Sequence, residues 1–104
     1  MNRVASVMQL KPGCEAEYKK RHDEIWPELA ALLKEAGIGN YSIFLHPHTL
    51  QLFAYLESAN NDARVNLSAQ EIMQRWWAYM KDIMETNADN SPVAIPLNEV
   101  FYLP

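Results

Sequence analysis

The sequence is poor in the residues that define several specialised classes of protein. Its single cysteine, Cys14, cannot form an internal disulfide, which fits a reducing compartment. No apolar run approaches the roughly 18 residues of a membrane-spanning helix, and the first residues lack the apolar segment of a signal peptide. We therefore expect a protein that is not exported, has no membrane partner and works in the cytoplasm.

Positive charge is also scarce. Nine Lys and Arg residues against 13 Asp and Glu residues give a formal net charge of −4, whereas nucleic-acid-binding proteins usually concentrate basic residues on one surface. Only Lys19, Lys20 and Arg21 form a basic run, which we interpret as a solvated helix face. We expect no nucleic-acid partner.

Motifs for metal binding, cofactor binding and nucleophilic catalysis are missing. His46 and His48 flank a proline in a turn-like segment with no Cys, Asp or Glu beside them, so we interpret them as exposed turn residues. No histidine pair has the spacing of a zinc protease, and the three glycines do not form a phosphate-binding loop. We expect neither a metal nor a cofactor.

The length suits one domain, residues 1–104. Pro27 predicts a break near Trp26 in the first helical stretch, because proline is favoured in a first helical turn and disfavoured inside a helix. Gly37 predicts a left-handed cap at the end of that stretch, and Ser68 and Glu71 have the spacing of a capping box. The predicted elements are strands over 3–10, 40–45, 50–57 and 99–103, a helical stretch over 14–36, a short helical segment over 63–67 and a helix over 68–84.

This order, β-α-β-β-α-β, is typical of an α+β fold with the ferredoxin-like arrangement. The helices are expected to cover one face of the sheet and leave the other without cover. Along the predicted strand over 50–57, Leu52 and Ala54 lie on one face and Phe53 and Tyr55 on the other. Open apolar sheet faces are rarely tolerated. We therefore expect a homodimer that packs sheet against sheet or closes a joint barrel.

His22 is the residue around which a candidate site can be built. At about 3.6 residues per turn it falls on the apolar stripe of the first helical stretch, one turn after Tyr18. It is expected to point toward the core, either as a hydrogen-bonded structural histidine or as an acid/base group.

Aromatic residues are expected around this histidine. Adjacent residues on a helix, such as Trp76 and Trp77, point about 100 degrees apart, so burying both leaves little room unless one lines a cavity. Trp26 is interpreted as core packing. A cavity with flat apolar rings, tyrosine hydroxyls and an imidazole suits a neutral polyhydroxylated ring. The full aromatic set is Tyr18, Trp26, Tyr41, Tyr55, Trp76, Trp77 and Tyr79.

The imidazole can supply reactivity in such a cavity. With an ordinary pKa of about 6.5, histidine can donate and accept protons at neutral pH. Interconversion of sugar anomers needs this chemistry. The ring oxygen is protonated while the anomeric hydroxyl loses its proton, the open aldehyde rotates, and the ring closes again.

The sequence resembles the L-rhamnose mutarotase family over nearly its whole length. The combination of HDEIWPEL with RWW and a C-terminal FYLP is specific, whereas any one of these alone would be weak. The matching segments are YKKRHDEIWPEL, GNYSIFL, QRWWAYMKDIM, NADNSPV and EVFYLP.

The resemblance implies an isomerase with the fold of the dimeric α+β barrels, which interconverts the α and β anomers of L-rhamnopyranose in the rhamnose catabolic pathway. Carried over residue by residue, it implies that His22 is the catalytic proton donor. It also implies that Tyr18, Tyr41, Trp76 and Trp77 bind the sugar.

Two alternative functions remain open. A cofactor-independent or haem-handling monooxygenase can share the dimeric barrel, an analogy at the level of fold alone. A non-catalytic binding or dimerisation module would use the aromatic residues for packing and His22 as a buried structural residue. Within the family interpretation, Asn87 and Asp89 are further candidate sugar contacts.

Overall fold

The computed structural model describes residues 2–59 and 66–104. The predicted helical segment over 63–67 lies partly outside these residues, and its last two residues belong to a short 3-10 helix. The elements are β1 (Asn2–Gln9), α1 (Glu15–Asp23), α2 (Pro27–Glu35), β2 (Ile38–Leu45), β3 (Gln51–Ser58), the 3-10 helix (Asn66–Ala69), α3 (Glu71–Met80) and β4 (Ile95–Leu97).

The four strands form one antiparallel sheet in the order β2-β3-β1-β4. The first strand lies between β3 and β4, so both crossovers pass over the same face of the sheet and carry their helices there. This is the split βαβ arrangement of the ferredoxin-like fold, and the α+β prediction is confirmed.

The first helical stretch divides where proline predicts. Trp26 is extended, with ψ of 131°, and Pro27 occupies the first turn of α2, where the missing amide hydrogen costs no helical hydrogen bond. Gly37 follows this helix with φ of 82°, a left-handed conformation that glycine adopts without steric cost. Trp26 and Pro27 therefore separate α1 from α2 and end the first helix at the place that the sequence predicts.

The core lies between the helices and one face of the sheet. Leu10, Leu29 and Leu52 are each no more than 2% exposed and join Tyr18 and Trp76 in one apolar cluster. Burying a leucine side chain stabilises a fold by about 1.5–3 kcal/mol. The residues that form the candidate site are thus built into the main core.

The opposite face of the sheet carries an apolar row that none of the described helices covers. Phe44 lies opposite Phe53, which lies opposite Val7, which lies opposite Ile95. Phe44 is 66% exposed and Ile95 is 61% exposed. The predicted open apolar face is present, and we call these four residues the open-face row.

The prediction of a final strand over 99–103 is wrong. The strand that pairs with β1 is Ile95–Leu97, and residues 98–104 have no regular secondary structure. Pro96 is tolerated there because β4 is an edge strand, where a missing amide donor costs little. The later segment is rich in β-forming residues, but Val100 is 94% exposed and Phe101 is 78% exposed, so neither packs on the sheet.

The predicted capping box is also wrong. Ser68 lies in the 3-10 helix, and α3 begins at Glu71 after an extended Gln70. The last turn of the 3-10 helix ends with a hydrogen bond from the Gln70 amide to the Leu67 carbonyl at 3.0 Å. A break between the two helices therefore replaces the continuous helix that the spacing predicts, and α3 ends at Met80 rather than near Met84.

Candidate active site

Helix α1 stacks a tyrosine on the candidate histidine. Tyr18 and His22 are four residues apart, so their side chains lie one above the other on the helix. The ring centroids are 4.3 Å apart and the ring planes differ by 28°. Tyr18 is 8% exposed and His22 is partly buried, so both face the core as predicted.

One hydrogen bond fixes the protonation pattern of the imidazole. Nδ1 of His22 lies 3.0 Å from the carbonyl oxygen of Tyr18. A carbonyl can only accept, so Nδ1 carries the hydrogen in the neutral ring and Nε2 carries the lone pair. Burial lowers the pKa of His22, although this hydrogen bond and the charge of Asp23 act in the opposite direction. The neutral imidazole therefore predominates at neutral pH.

Helix α3 brings the adjacent tryptophans to the same place. The Trp76 ring lies edge-on to His22, with centroids 5.5 Å apart and an interplanar angle of 88°. Trp76 is 7% exposed and Trp77 is partly buried. Both line the same cavity, which resolves the crowding that their adjacency implies.

Strand β2 adds a second phenol. Tyr41 is 44% exposed as a residue, but burial around its hydroxyl raises the pKa of the phenol. Burial also raises the pKa of Tyr18, and the neighbouring Tyr41 adds to that shift. Both phenols therefore stay protonated at physiological pH, as hydrogen-bond donors rather than bases.

The cavity between the helices and the sheet has a volume of about 1530 Å³. All five residues named from the sequence line it: Tyr18, His22, Tyr41, Trp76 and Trp77. Most of its wall is apolar, with Leu29, Leu33 and Met73 among the lining residues. The geometry therefore offers apolar ring faces, two phenol donors and one imidazole to the same bound molecule.

The cavity wall includes polar residues that were not named as site residues from the sequence, two of them between α3 and β4. Thr86 and Asn90 line the cavity, whereas Asn87 and Asp89 are not among its lining residues. The Asn87 amide donates to Ser91 Oγ at 3.1 Å, and an Asp89 carboxylate oxygen accepts from the Ser91 amide at 3.0 Å. A left-handed residue, Asn90 with φ of 71°, reverses the chain here, and no spacing rule predicts which side chain faces inward.

The other aromatic residues have different surroundings. Trp26 lies edge-on to Trp76 at 5.1 Å and stacks on Tyr79 at 5.5 Å, as its interpretation as core packing expects. Tyr55 donates to Glu57 at 3.0 Å on strand β3. None of these three aromatic residues lines the cavity.

The interpretation of the basic run as a solvated face is wrong for Arg21. Its side chain is only 9% exposed and pairs with Glu17 and Asp82, whereas the Lys19 side chain is 77% exposed. Asp82 is 61 positions away in the sequence, so the helical pattern alone could not reveal the pair. The four-residue spacing of Glu17 and Arg21 was the one local signal.

The two remaining histidines lie in a turn. Nδ1 of His46 accepts the backbone amides of His48 and Thr49, each at 3.2 Å, which closes the connection between β2 and β3. Within residues 2–59 and 66–104, no group of three His, Cys, Asp or Glu side chains is placed to hold a metal ion. In the same residues, the helices are too short and too polar to cross a membrane.

Fold and cavity together define the class: a ferredoxin-like protein of the dimeric α+β barrel type, with one neutral imidazole among aromatic rings. The chain belongs to the L-rhamnose mutarotase family. The family model described as L-rhamnose mutarotase matches residues 3–103. The match covers nearly the whole chain.

Individual relatives agree with this assignment. The L-rhamnose mutarotases of Tolumonas auensis and Listeria monocytogenes are 56% and 54% identical over 103 residues, which is 99% of each chain. The crystal structure of the L-rhamnose mutarotase of Formosa agariphila superposes with a TM-score of 0.93 at 46% identity, over the full length of both chains. A Mycobacterium tuberculosis protein, Rv0793, shares the fold alone, with a TM-score of 0.63 at 10% identity over 98% of this chain and 97% of its own.

Proposed function

We propose that this protein interconverts the α and β anomers of L-rhamnopyranose, with His22 as the proton carrier. The observation that carries the proposal is the half-buried imidazole held between the Tyr18 and Trp76 rings in the wall of the cavity. Family membership supports the substrate, and the site geometry supports the chemistry. As a sugar mutarotase, the enzyme is an isomerase.

Proton transfer at Nε2 is the centre of the proposed reaction. The Nδ1 hydrogen of His22 is held by the Tyr18 carbonyl, so Nε2 is the nitrogen free to receive a proton from the anomeric hydroxyl. As that proton leaves, the C1–O1 bond becomes a carbonyl, the bond between C1 and the ring oxygen breaks, and the ring oxygen takes up a proton. The open aldehyde then rotates about the C1–C2 bond, and the reverse steps close the ring on its other face.

The two phenols are proposed to bind and orient hydroxyl groups of the sugar. Because burial raises the pKa of both Tyr18 and Tyr41, neither acts as a base at neutral pH. Each can donate a hydrogen bond to an oxygen of the substrate, including the ring oxygen as its charge changes. The proton that the ring oxygen takes up is then delivered through a water molecule, because the raised pKa of Tyr18 makes its phenol a weak acid.

Trp76 and Trp77 are proposed to contact the C–H faces of the sugar. Indole rings offer large flat apolar surfaces with an N–H group at the edge. The rest of the wall is apolar, as at Leu33 and Met73, and suits the methyl group of a 6-deoxy sugar. Because hydrophobic pockets reject an added hydroxyl weakly, related sugars with a C6 hydroxyl should react at reduced efficiency.

A homodimer in the cytoplasm is the proposed working form. The open-face row exposes two phenylalanines and an isoleucine on a sheet that has no covering layer within the described residues. A second copy of the chain presents the same apolar row, so the two rows can pack against each other. Such self-complementary apolar patches are the usual basis of symmetric dimers.

Polarimetry tests the proposal. Freshly dissolved α-L-rhamnose changes its optical rotation spontaneously, and the wild-type enzyme should accelerate that change in proportion to its concentration. His22→Ala should lose about 100-fold to 10,000-fold of the acceleration, the usual contribution of a general acid/base. The matched control is His46→Ala, which removes a turn histidine outside the cavity and should retain the wild-type rate. Equal rates for wild type and His22→Ala would refute the assignment.

A further inference from the structure

Arg21 is the covalent neighbour of His22, and its guanidinium forms hydrogen bonds with Glu17, Tyr79 and Asp82. Its Nε donates to Glu17 at 2.7 Å. Its Nη1 donates to the Tyr79 carbonyl at 2.7 Å, and its two terminal nitrogens donate to the two Asp82 oxygens at 2.9 and 3.2 Å. This is the two-pronged pairing of a guanidinium with a carboxylate, which fixes orientation as well as distance.

The same guanidinium also contacts the aromatic cluster. Its carbon lies 4.2 Å from the centre of the Tyr79 ring, within the range of a cation–π contact. Tyr79 in turn contacts Trp76 with ring centres 5.7 Å apart, and Trp76 contacts His22. Ring contacts therefore link His22 to Trp76, Trp76 to Tyr79 and Tyr79 to Arg21. Arg21 and His22 are consecutive residues, so this series of contacts begins and ends at the same place on α1.

We propose that Arg21 is a positioning residue that fixes α1 against α3 and so sets the distance and angle between the His22 and Trp76 rings. Arg21 does not line the cavity, so it acts on a bound sugar through these two rings rather than by contact. The proposal rests on the proposed function, because its consequence is a change in the rate of anomer exchange.

Arginine suits this role better than lysine. A lysine ammonium is a point charge on a flexible stem, and it cannot serve Glu17, Asp82 and the Tyr79 carbonyl in one planar fork. Removing the guanidinium leaves both carboxylates partly exposed to water, since the Glu17 side chain is 44% and the Asp82 side chain 64% exposed. The fold should therefore survive the substitution while the two helices lose their fixed spacing.

The test compares Arg21→Ala and Arg21→Lys with the control Arg75→Ala, which removes an exposed pair with Glu71 on α3 and does not line the cavity. Each variant is measured by saturation transfer at a temperature where circular dichroism shows it folded. Displacement of a reacting group can cost about 100-fold, so we expect both Arg21 variants to lose about tenfold to 100-fold in kcat with a smaller change in KM. Arg75→Ala should stay within about twofold of wild type.

Chemical rescue separates positioning from general stability. Millimolar guanidinium ion should restore part of the kcat of Arg21→Ala, because it can occupy the vacated site against Asp82 and Tyr79, while the same concentration of sodium chloride should not. A lower melting temperature with wild-type kcat would show a purely structural residue and overturn the proposal. If Arg21→Ala does not fold, Asp82→Asn takes its place, and an unchanged kcat there would also overturn it.

Failure of the proposed function gives a different result. A wild-type enzyme that does not exchange the anomers contradicts the assignment of activity. An active wild type with fully active Arg21 variants contradicts only the positioning role.

Discussion

At the residue scale, His22 and Tyr18 are coupled by two contacts that depend on their four-residue spacing. The side-chain rings stack at 4.3 Å, and the imidazole donates to the carbonyl of the earlier residue at 3.0 Å. The sequence predicts the stacking, because residues four apart share a helix face. It does not predict the hydrogen bond, because the side-chain rotation that selects Nδ1 depends on the surrounding core.

Because His22 is partly buried, we predict how the activity depends on pH. Burial lowers its pKa, so the neutral base persists below pH 6.5, and the acid limb of kcat/KM should have its midpoint below about 6.5, the ordinary value for histidine. Activity should be flat from there to neutral pH. A pH–rate profile with L-rhamnose measures this, and a midpoint clearly above 6.5 would contradict the burial argument.

The same shift affects stability. The unfolded chain binds a proton at His22 at a higher pH than the folded protein does, so folding stability is complete above about pH 6.5 and falls as the pH drops through the lowered pKa. The activity limb and the onset of acid destabilisation therefore have the same origin.

Arg21 marks the limit of sequence reasoning at this scale. Its neighbours Lys19 and Lys20 have the exposure that the charge pattern predicts, but its partner Asp82 lies beyond the end of α3. Which of the three adjacent basic side chains becomes buried depends on how α1 packs against the end of α3, and these two helices are far apart in the sequence.

At the scale of the element, the hairpin-like segment after α3, which Thr86 and Pro92 close by pairing, contributes the polar residue Asn90 to the cavity wall. The backbone amide of Asn90 donates to the Asn87 carbonyl at 2.9 Å. Asn90 adopts a left-handed conformation, while Asn87 and Asp89 form hydrogen bonds with Ser91. The sequence analysis named Asn87 and Asp89 in this segment, whereas the residue that lines the cavity is Asn90. Turn chemistry identifies a turn without identifying the residue that faces inward.

Replacement of Asn90 by alanine should weaken substrate binding. Asn90 lines the cavity, and we expect its side-chain amide to bind the sugar. Loss of that hydrogen bond, worth about 0.5–1.5 kcal/mol, should raise KM roughly twofold to tenfold with a smaller effect on kcat. Steady-state kinetics by saturation transfer measures this. The control is Asn98→Ala, which changes an exposed asparagine outside the cavity, and a KM that is equal in both variants would contradict a role for Asn90.

The terminal strand shows why element boundaries are hard to predict. Residues 99–103 have the composition of a strand, but the sheet uses Ile95–Leu97, whose register places Ile95 opposite Val7 and Leu97 opposite Ala5. After β4, Arg3 pairs with Glu99 at 2.8 Å and lies over the Tyr102 ring at 3.5 Å. These side-chain contacts hold the segment without strand pairing, and no local pattern in the sequence predicts them.

At the scale of the whole molecule, the helices protect one sheet face and leave the open-face row exposed. The alternation of residues along β3 predicts this division, because side chains of successive strand residues point to opposite faces. The size of the cavity could not be predicted, because it depends on how far the helices stand from the sheet. The sequence therefore defines the fold and the inner face better than it defines the site's volume.

A charge in the open-face row should disrupt the proposed dimer. Phe44→Asp introduces a carboxylate into the apolar row and should raise the dimer Kd by about 100-fold or more, the effect of losing a central interface residue. Ala31→Asp, at an exposed position of α2, makes the matched change on the opposite side and should leave the dimer intact. Sedimentation equilibrium measures both, and a wild-type protein that sediments as a monomer at micromolar concentration would contradict the dimer.

Saturation transfer between the two anomeric proton signals of L-rhamnose tests the central claim most directly, because it observes anomer exchange at equilibrium without a coupled enzyme. We predict transfer that grows with the concentration of wild-type protein and falls to the spontaneous rate with folded His22→Ala, since Nε2 of His22 carries the proton. Wild-type protein that produces no transfer above the spontaneous rate, or His22→Ala that transfers as well as wild type, would contradict the account.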